Sequence, residues 1–407
     1  MRILMLTQFY PPVLGGQERH VRDLAAALAA RGHDVSVATV ATDGHAHSAP
    51  DGAVTVHYLR TTAQRAPGLH SETERPHVMP VPDPELRAGL GRLLGATRYD
   101  VAHAHDWTVN SLIGPARRTR TPVLLTQHDY SHVCATKRLM RAGAVCPGPA
   151  PARCIRCAAA HYGPLVGPGV AVANFAGRLA RRRAVDAFIP VSPSVAERTG
   201  LRIGDRGGAV VEVIANFVPD HILVDPDTLH GAGRDGPILF VGDVTADKGA
   251  DVLLTAYRQL TGPPPLVLAG RVLPDTPRQL PPGAELLGPT DPAVVLGLMR
   301  GARLVVVPSI VLDCCPTVVL EAMAAGRPVV GSSSGGIPSL VEDGVSGRVV
   351  PPGDPGALAV AMAAVLADPA AADTMGRNGL ERVRAYTASA VSAHVESLYR
   401  RVLSARD

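Results

Sequence analysis

The stretch that decides the fold is LVVVPSIVLDCCPTVVLEAM, residues 304–323. It opens with the apolar run 304–307, which is typical of a short buried strand. A polar turn follows, and Pro316 then suits the first turn of a helix. A strand, a turn and a helix in this order form the unit from which helix-covered sheets are built. The stretch therefore predicts one unit of an α/β fold.

The same alternation continues along the rest of the chain. Short apolar runs bounded by Gly, Pro, Asp or Arg alternate with helical patterns, which predicts parallel sheets covered by helices on both faces. The first helix ends at Gly32, after four apolar residues spaced to lie on one face: Val21, Leu24, Ala25 and Leu28. The predicted strands cover residues 2–8, 34–40, 55–59, 101–104, 123–128, 210–217, 238–241, 266–269, 304–307 and 329–331. The alanine-rich tract 357–372 favours helix.

The length of the chain predicts two domains. At 407 residues the chain is longer than one hydrophobic core usually grows, so we expect domains of about 150 to 220 residues. Residues 219–236 are rich in Pro, Gly, Asp and His and show no clear period, which suits an interdomain linker. We expect Rossmann-like domains over 1–218 and 237–385, with parallel sheets facing across a cleft. Ligands of such sheets bind at the carboxyl ends of the strands.

Charge and hydropathy exclude several classes of protein. The 40 Lys and Arg residues nearly balance 36 Asp and Glu residues, and no dense basic run marks a nucleic-acid binder. The basic stretch 178–183 fits a solvated helix face, with a membrane-surface patch as the alternative. The apolar start is too short for a signal peptide before Pro11 and Pro12, and no run reaches the roughly 20 apolar residues of a membrane span. We expect a cytoplasmic protein, with contact at the inner face of the membrane left open.

In the first half, small and polar residues follow two predicted strands. Gly15 and Gly16 lie between the first strand and the first helix, where backbone amides can receive a phosphate or a sugar hydroxyl. A tight strand-to-helix turn is the alternative, because the spacing is not G-x-G-x-x-G. His128 follows one strand, and His105 and Asp106 follow the strand before it. We expect these side chains to converge on one sheet edge and contact substrate, although a structural role for an isolated histidine is also open.

In the second half, a lysine marks a similar turn. Gly242 and Asp243 follow the strand 238–241, and Lys248 then lies at a glycine-flanked turn before a helix. The chain has only two lysines, Lys137 and Lys248, so a lysine in such a turn suggests a function. Its ammonium group beside a helix start would neutralise a diphosphate. An exposed turn lysine is the alternative.

Two carboxylates in the opening stretch, Asp313 and Glu321, complete the predicted site of the second half. The amides of Thr317 and Val318 lie at the positive end of the helix, where a phosphate fits. Glu321 lies further into the helix, among apolar residues. Burying a carboxylate is costly unless it has a partner, and ribose hydroxyls would satisfy it. The alternative is that Glu321 reaches solvent from an amphipathic helix.

A cysteine-rich segment follows His128. Four cysteines lie within 24 residues, and the last two form a C-x-x-C pair: Cys134, Cys146, Cys154 and Cys157. Four thiolates can close a tetrahedral zinc site and staple an irregular loop, so we predict a structural zinc ion. Two disulfides, free thiols and an iron–sulfur cluster are the alternatives. Cys314 and Cys315 are predicted to be packing residues at a helix start.

Together these stretches resemble family 4 glycosyltransferases, which are retaining enzymes with the GT-B fold. The resemblance covers nearly the whole chain, and several independent motifs in the right order are more specific than any one of them. The motifs are GGQERHVRDLAAALAARGHDV from Gly15, TQHDY from Thr126, VSPSVAERTGL from Val191, VIANF from Val213, GDVTADKGADVLL from Gly242, VPSIVLDCCPTVVLEAMAAGRPVV from Val307 and GGIPSLVEDGVSGRVVPPGD from Gly335. The cysteine segment, about 131–162, resembles an insertion found in a subset of the family.

The resemblance implies a role for each domain. The second domain would bind the nucleotide sugar, the first would bind the acceptor, and a last helix over 386–407 would return to the first domain. The implied catalytic residues, which need no metal ion, are His128, Lys248, Asp313 and Glu321. The implied donor-binding residues are Gly15, Gly16, Gly242, Asp243, Lys248, Arg271, Asp313, Pro316, Thr317, Val318 and Glu321. The implied acceptor side comprises Glu18, His105 and Asp106.

Individual contacts also follow from the resemblance. Lys248 would contact the donor diphosphate, Glu321 the ribose, and Asp313 with the amides after it the donor sugar and phosphate. Gly16 would approach the phosphate from the opposite domain, and His128 would lie beside the transferred sugar.

The chain departs from the family pattern at two positions. Asp243 stands where the family often has arginine, and a carboxylate there repels phosphate, so Lys248 or Arg271 would supply the charge. Asp313 stands where glutamate is common and is one methylene shorter. The implied function is transfer of a sugar, with retention, from a nucleotide diphosphate sugar to a glycan, a lipid or a small natural product. A nucleotide-sugar isomerase or hydrolase on the same scaffold, or a catalytically silent binding partner, is the alternative.

Overall fold

The computed structural model describes residues 1–11, 15–42, 45–65, 78–204, 208–229, 233 and 235–406. Pro12, and residues 230–232 and 234 of the predicted linker, lie outside the described residues. The chain divides into two compact units. The first comprises Met1–Ala215 and Ser392–Asp407, and the second comprises Asn216–Val391.

The first unit is built on one large sheet. Its strands are β1 (Arg2–Leu6), β2 (Asp34–Val40), β3 (His47–Asp51), β4 (Val54–Leu59), β5 (Val101–Ala104), β6 (Val123–Gln127), β7 (Met140–Arg141), β8 (Ala144–Val145), β9 (Ala187–Pro190) and β10 (Val210–Val211). Its helices are α1 (Gly16–Ala30), α2 (Pro84–Ala96), α3 (Val109–Thr119), α4 (Pro151–Tyr162), α5 (Gly167–Ala184) and α6 (Pro193–Thr199). Eight strands form the sheet, in the order β10-β9-β6-β5-β1-β2-β4-β3, and β7 pairs with β8 in a separate hairpin. All neighbours in the large sheet are parallel except β3 and β4.

The second unit is a six-stranded parallel sheet with helices. Its strands are β11 (Ile238–Val241), β12 (Leu266–Ala269), β13 (Ala284–Gly288), β14 (Leu304–Val307), β15 (Val329–Ser332) and β16 (Gly347–Val350). Its helices are α7 (Ala250–Tyr257), α8 (Pro292–Gly301), α9 (Thr317–Ala324), α10 (Ile337–Leu340), α11 (Pro355–Ala367) and α12 (Pro369–Val383). The strand order is β13-β12-β11-β14-β15-β16, which is the Rossmann order. The last helix, α13 (Ala388–Ser404), starts in this unit and belongs to the first unit from Ser392 onward.

Burial explains why these segments fold as they do. The central strands of both sheets are covered on both faces, so their side chains are almost wholly buried, as parallel sheets require. The strand of the opening stretch is confirmed, with Leu304 and Val305 both 0% exposed. The apolar face predicted for α1 is also confirmed, since all four of its residues are buried. The α/β class follows from both units.

Helix α13 packs on the first unit through buried polar contacts and through apolar ones. The Tyr399 hydroxyl lies 2.7 Å from Nδ1 of His103, on strand β5, and both side chains are fully buried. Arg31, just after α1, donates to Glu396 at 2.6 Å. Val395, Leu398 and other apolar residues of the helix are buried. The end of the chain is therefore part of the core of the first unit.

Two predicted segments differ in the structure. Of the strand predicted over 210–217, only Val210–Val211 forms. This strand lies at the sheet edge, where β9 is its one neighbouring strand, and the chain enters the second unit at Asn216, so little of it can be paired. The segment 219–236, predicted as a linker, lies within the second unit where it is described. Ile222 is buried there, and the amide of Val224 donates to the carbonyl of Ala324 at 3.0 Å.

The alanine-rich tract 357–372 forms two helices instead of one. Asp368 ends α11, and its carboxylate accepts from the amides of Ala370 and Ala371 to cap α12, whose first residue is Pro369. Within the described ranges, no single helix is long and apolar enough to cross a bilayer. The pair Pro355–Ala367 and Pro369–Tyr386 reaches that length and apolar character only when the two are taken together, and they are bent by 101° where they join.

Candidate functional site

In the second unit, the predicted residues follow the two strands at the switch point of the sheet. Strand β11 lies between β12 and β14, so crossovers run in opposite directions from it. Ligands of such sheets bind outside the carboxyl ends of these strands. Gly242, Asp243 and Lys248 follow β11, whereas Asp313 follows β14. The topology therefore brings residues distant in sequence to one edge.

Lys248 and Asp313 form an ion pair at this edge. The Nζ atom of Lys248 lies 2.5 Å from Oδ2 of Asp313, which also accepts from the Ser309 hydroxyl at 3.2 Å. Burial alone lowers the pKa of Lys248, but the charge and hydrogen bond of Asp313 outweigh it and leave the pKa raised. The ammonium is therefore charged at neutral pH and held in one place by Asp313.

Two glycines allow the loops around this pair to pack closely. Gly249 starts α7 with φ +78°, and a Cβ there would lie 2.0 Å from the carbonyl oxygen of Pro308. Gly335 has φ +59°, and a Cβ there would lie 2.0 Å from the carbonyl oxygen of Asp313. Only glycine fits either position without a shift of backbone. The turn at Lys248 and the turn at Gly335 thus both pack on the loop that ends in Asp313.

Helix α9 brings its amino-terminal end to the same loop. Pro316 was predicted in the first turn, but the structure places it one residue earlier, at the N-cap, because its ψ of 119° is extended and not helical. Thr317 and Val318 are the first helical residues, and the first amides of a helix have no acceptor within it. Glu321 is half-buried, between the buried residues Leu320 and Ala322.

Sequence reasoning missed residues that hold this loop in place. The Asn216 side chain donates to the carbonyl of Cys315 at 2.8 Å, and the amide of Ile310 donates to the carbonyl of Asp247 at 3.0 Å. Asn216 belongs to the VIANF motif, from which no contact of its side chain was predicted. The bond to Asp247 is made by the main chain, so no side-chain signal could have revealed it.

Asp243 and Arg271 form a bidentate pair. Arg271 donates from Nε and Nη2 to the two carboxylate oxygens of Asp243, both at 2.8 Å. The carboxylate that departs from the family pattern is therefore neutralised within the unit. The same contact engages the guanidinium of Arg271 that was predicted to serve the donor. Gly270 lies beneath the pair, and a Cβ there would lie 1.7 Å from the carbonyl oxygen of Gly242.

In the first unit, the switch point lies between β1 and β5, and Asp106 organises it. Its Oδ2 accepts from the amide of Gln8 at 2.5 Å and from Nε2 of Gln17 at 3.0 Å. Its Oδ1 accepts from the amide of Thr108 at 2.8 Å. The predicted acceptor-side residue Asp106 thus ties the ends of β1 and β5 to the start of α1.

His105 and His128 meet at this edge together with a third histidine. Nδ1 of His105 lies 3.0 Å from Nε2 of His128. One donor atom each of His20, His105 and His128 lie within 4.8 Å of one another, and this is the one set of three or more metal-ligating side chains so close in the described part of the chain. Sequence reasoning missed His20. Its spacing of four from buried Leu24 was a signal that both share the inner face of α1.

The buried histidines of this unit are neutral. Burial, followed by the charges of His128 and His103, holds the pKa of His20 well below its ordinary value. Burial and the neighbouring histidines do the same for the pKa of His105. Burial and then His128 lower the pKa of His103 to about 3. A neutral imidazole can donate and accept hydrogen bonds at once.

The start of α1 contains the two predicted glycines. Gly15 is its N-cap with extended backbone, and the atom nearest to a Cβ there would be a carboxylate oxygen of Glu18, 2.2 Å away. Gly16 is the first helical residue, and a Cβ there would meet nothing within 4 Å. The helix end at Gly16 is therefore not covered by the described part of the chain, which suits contact with a ligand.

The four cysteines of the predicted insertion come together in the first unit. Burial raises the pKa of Cys157, and the charges of Cys134, Cys146 and Cys154 raise it further. All four are free and half-buried. Their sulfurs do not approach one another as closely as the donor atoms of the histidine set in the described residues. The segment is not wholly irregular, because it contains the β7–β8 hairpin and α4.

Comparison with protein families gives two matches that together span most of the chain. A model described as "Glycosyltransferase Family 4" matches residues 14–221, and one described as "Glycosyl transferases group 1" matches residues 236–368. A glycogen synthase of Mycobacterium tuberculosis is 32% identical over 411 residues, which cover 94% of this chain and 90% of that protein.

Two solved structures are similar along their whole length. A sucrose-phosphate synthase from Thermosynechococcus elongatus has a TM-score of 0.71 at 22% identity, over 99% of both chains. HepE of Anabaena, solved in complex with UDP-glucose, has a TM-score of 0.66 at 19% identity, over 98% of this chain and 100% of that chain. These likenesses establish the arrangement of two Rossmann-like units as a known fold.

Proposed function

Because the chain belongs to glycosyltransferase family 4 and has the GT-B fold, we propose that it is a retaining glycosyltransferase that uses a nucleotide diphosphate sugar. The observation that supports this most is the meeting of Lys248, Asp313 and the start of α9 at the switch point of the second unit. A cation and free helix amides at one sheet edge favour a diphosphate ligand. The alternatives of an isomerase, a hydrolase or a silent partner have no comparable support, since the matching families are named for transferases.

In the proposed donor site, each residue has a distinct task. Lys248 and the amides of Thr317 and Val318 stabilise the diphosphate as it leaves. Glu321 accepts from ribose hydroxyls. Asp313 positions Lys248 through the observed ion pair. Fixed charges of this kind cost no reorganisation during the reaction, so they stabilise the transition state more than solvent would.

In the proposed acceptor site, His128 lies beside the transferred sugar. The sugar is attacked on the face from which the diphosphate departs, and the departing phosphate takes the proton of the acceptor hydroxyl. No metal ion is needed for this step, because Lys248 and the helix amides supply the positive charge. HepE was solved with UDP-glucose, so a uridine diphosphate sugar is the first donor to test. The acceptor is proposed to be a glycan, a lipid or a small natural product.

The test measures nucleotide release and product stereochemistry. We expect the purified chain to release nucleoside diphosphate from one of several UDP-, GDP- or ADP-sugars only when an acceptor is added, and NMR of the product to show the anomeric configuration of the donor. Equal release without any acceptor would indicate a hydrolase or isomerase. Absence of heat on titration with all three nucleoside diphosphates would indicate a silent partner. An inverted product would contradict the retaining mechanism.

We further propose that the chain contacts an anionic membrane surface through α5. Three apolar side chains lie at helical spacing on its exposed side, Val172, Phe175 and Leu179, at 59%, 51% and 48% exposure. Arg182 and Arg183 at the end of the helix are also exposed. Arg181 of the same basic stretch is buried, so the stretch is not simply a solvated face. Apolar side chains flanked by arginines suit a bilayer surface that carries negative charge.

Sedimentation with vesicles tests this contact. We expect binding to phosphatidylcholine vesicles that contain phosphatidylglycerol, weaker binding to phosphatidylcholine alone, and loss of binding in the double variant Phe175→Ser and Leu179→Ser. Val360 on α11 is 72% exposed and apolar, so Val360→Ser is the matched control and should bind like the parent. Equal sedimentation of the α5 variant and the parent would exclude α5 as the contact.

A further inference from the structure

The cysteine segment places four thiols where three separate pieces of the first unit meet. Cys134 follows the turn after β6, Cys146 directly follows β8, and Cys154 and Cys157 lie one turn apart on α4. Residues three apart on a helix share a face, so the C-x-x-C pair presents both sulfurs on one side of α4. The segment thus places two sulfurs on a helix and two on loops of the same region, although no three of them lie as close together as the donor atoms of the histidine set.

Two local features hold the thiols of α4 in place. The amide of Ala150, at the start of α4, donates to Sγ of Cys154 at 3.3 Å. Cys154 and Cys157 lie in the first two turns of α4, so one helix fixes the backbone of both.

The backbone around the thiols is strained. Lys137, Leu139 and Ala142 have φ values of +64°, +52° and +49°, in the left-handed region that favours glycine. Such conformations are unfavourable for residues other than glycine and persist when the surroundings constrain them. The hairpin between them has two residues in each strand and pairs with no other strand, and a two-stranded hairpin is marginal by itself. The segment therefore needs a cross-link beyond its own hydrogen bonds.

We propose that Cys134, Cys146, Cys154 and Cys157 bind one Zn²⁺ ion as four thiolates in a tetrahedral structural site. Binding displaces the four thiol protons to solvent, and the zinc–sulfur bonds close the segment. Binding requires the sulfurs to come closer together than they lie here, and rotation of each side chain about its Cα–Cβ bond is the movement that the proposal requires.

The zinc ion would support the loop that carries His128. The indole Nε1 of Trp107 donates to the carbonyl of Ser131 at 3.2 Å, and the Lys137 ammonium lies 4.6 Å from the centre of the Trp107 ring. The Tyr162 hydroxyl, at the end of α4, donates to the carbonyl of Ala135 at 2.8 Å. The segment is thus packed between α4 and the end of β5, next to the histidine set.

Metal analysis of the full chain, purified without chelators, tests the proposal. We expect close to one zinc per chain by elemental analysis, and less than one fifth of that in the double variant Cys146→Ser and Cys157→Ser. Cys314→Ser is the matched control, since Cys314 lies in the second unit, and it should retain the ion. Cobalt substitution gives a second readout: four thiolates produce an intense sulfur-to-cobalt charge-transfer band in the near ultraviolet, which the control should keep and the double variant should lose.

Other outcomes would overturn the proposal. Zinc that persists in the cysteine variant but disappears in His105→Ala, with no charge-transfer band for cobalt, would place the ion on the three histidines. A metal-free chain whose intact mass is four hydrogens below the reduced mass would show two disulfides. A metal-free chain with six titratable thiols would show that the segment is closed by packing alone. If the double variant fails to fold, the cobalt spectrum of the parent chain still decides between sulfur and nitrogen ligands.

Discussion

Lys248 combines two properties that usually exclude each other. Its ammonium is partly shielded from water, at 36% side-chain exposure, yet its pKa is raised because Asp313 outweighs the effect of burial. An ammonium group has three donors, and Asp313 uses one of them. Two donors are left for phosphate oxygens, and the carboxylate fixes where they point.

Replacing Lys248 by alanine is expected to lower kcat/KM at least tenfold, because the leaving diphosphate loses its cation. A tenfold loss corresponds to about 1.4 kcal/mol of transition-state stabilisation. Arg377, an exposed cation on α12 of the same unit, provides the control, and Arg377→Ala should retain activity. A loss smaller than about threefold in Lys248→Ala would remove the proposed role. Thermal denaturation of both variants checks that the fold is intact.

At the scale of elements, α13 completes the first unit with a polar contact inside its core. His103 accepts or donates at both ring nitrogens, to Tyr399 and to Thr126, each at 2.7 Å. Both partners are needed because the ring is fully buried, and a buried polar atom without a partner costs about 1–3 kcal/mol. Helix α13 is therefore held by a buried hydrogen bond as well as by apolar packing.

Tyr399→Phe tests that contact. The variant keeps the ring but leaves Nδ1 of His103 without its hydroxyl partner, so we expect the free energy of unfolding to fall by about 1–3 kcal/mol. Urea unfolding followed by fluorescence of Trp107, the single tryptophan, reports on the first unit. Ser404→Ala removes an exposed hydroxyl on the same helix and should change the free energy by less than about 0.5 kcal/mol. Equal values for the two variants would mean that the buried contact adds no stability.

The sequence predicts the central strands well and the edge elements poorly. Leu304–Val307 and Ile238–Val241 are apolar because both their faces are covered, so their pattern is unambiguous. Strand β3 reads HSAPD and is mostly exposed at the sheet edge, so no apolar alternation marks it. The pair of Lys248 with Asp313 joins residues 65 apart, and only the strand order makes them neighbours. The three-histidine set likewise draws on three elements. Only His105 and His128 could be suggested from the sequence, because each follows a predicted strand.

At the scale of the whole molecule, the buried histidines of the described residues all lie in the first unit. They are His103, His105 and His132, and burial is the main cause of the lowered pKa of each, as it is for the half-buried His20. Among the described residues of the second unit, the one histidine is His221, which is exposed. The two units are therefore expected to respond differently to acid.

We expect acid to unfold the first unit before the second. Below about pH 6.5 the unfolded chain takes up protons that the buried imidazoles do not, so stability falls by roughly 1.4 kcal/mol per pH unit for each histidine. For His103 this continues down to its folded pKa of about 3. Fluorescence of Trp107 should change at a higher pH than the last part of the far-ultraviolet circular dichroism, with a chelator present to exclude metal release. A single coincident transition would contradict the prediction.

The first unit is built from two separate stretches of the chain, and this sets an order for folding on the ribosome. Residues Asn216–Val391 are continuous, so the second unit is complete in the nascent chain while the first still lacks its last helix. Tyr399, whose hydroxyl hydrogen-bonds to His103, is synthesised 296 residues after it. Domains usually fold in the order of their synthesis. Here the first unit begins to be synthesised first but can complete its fold only after the second unit. Until α13 has been synthesised, the apolar residues of the first unit that it covers stay exposed, and that is the period in which chaperones would protect the newborn polypeptide.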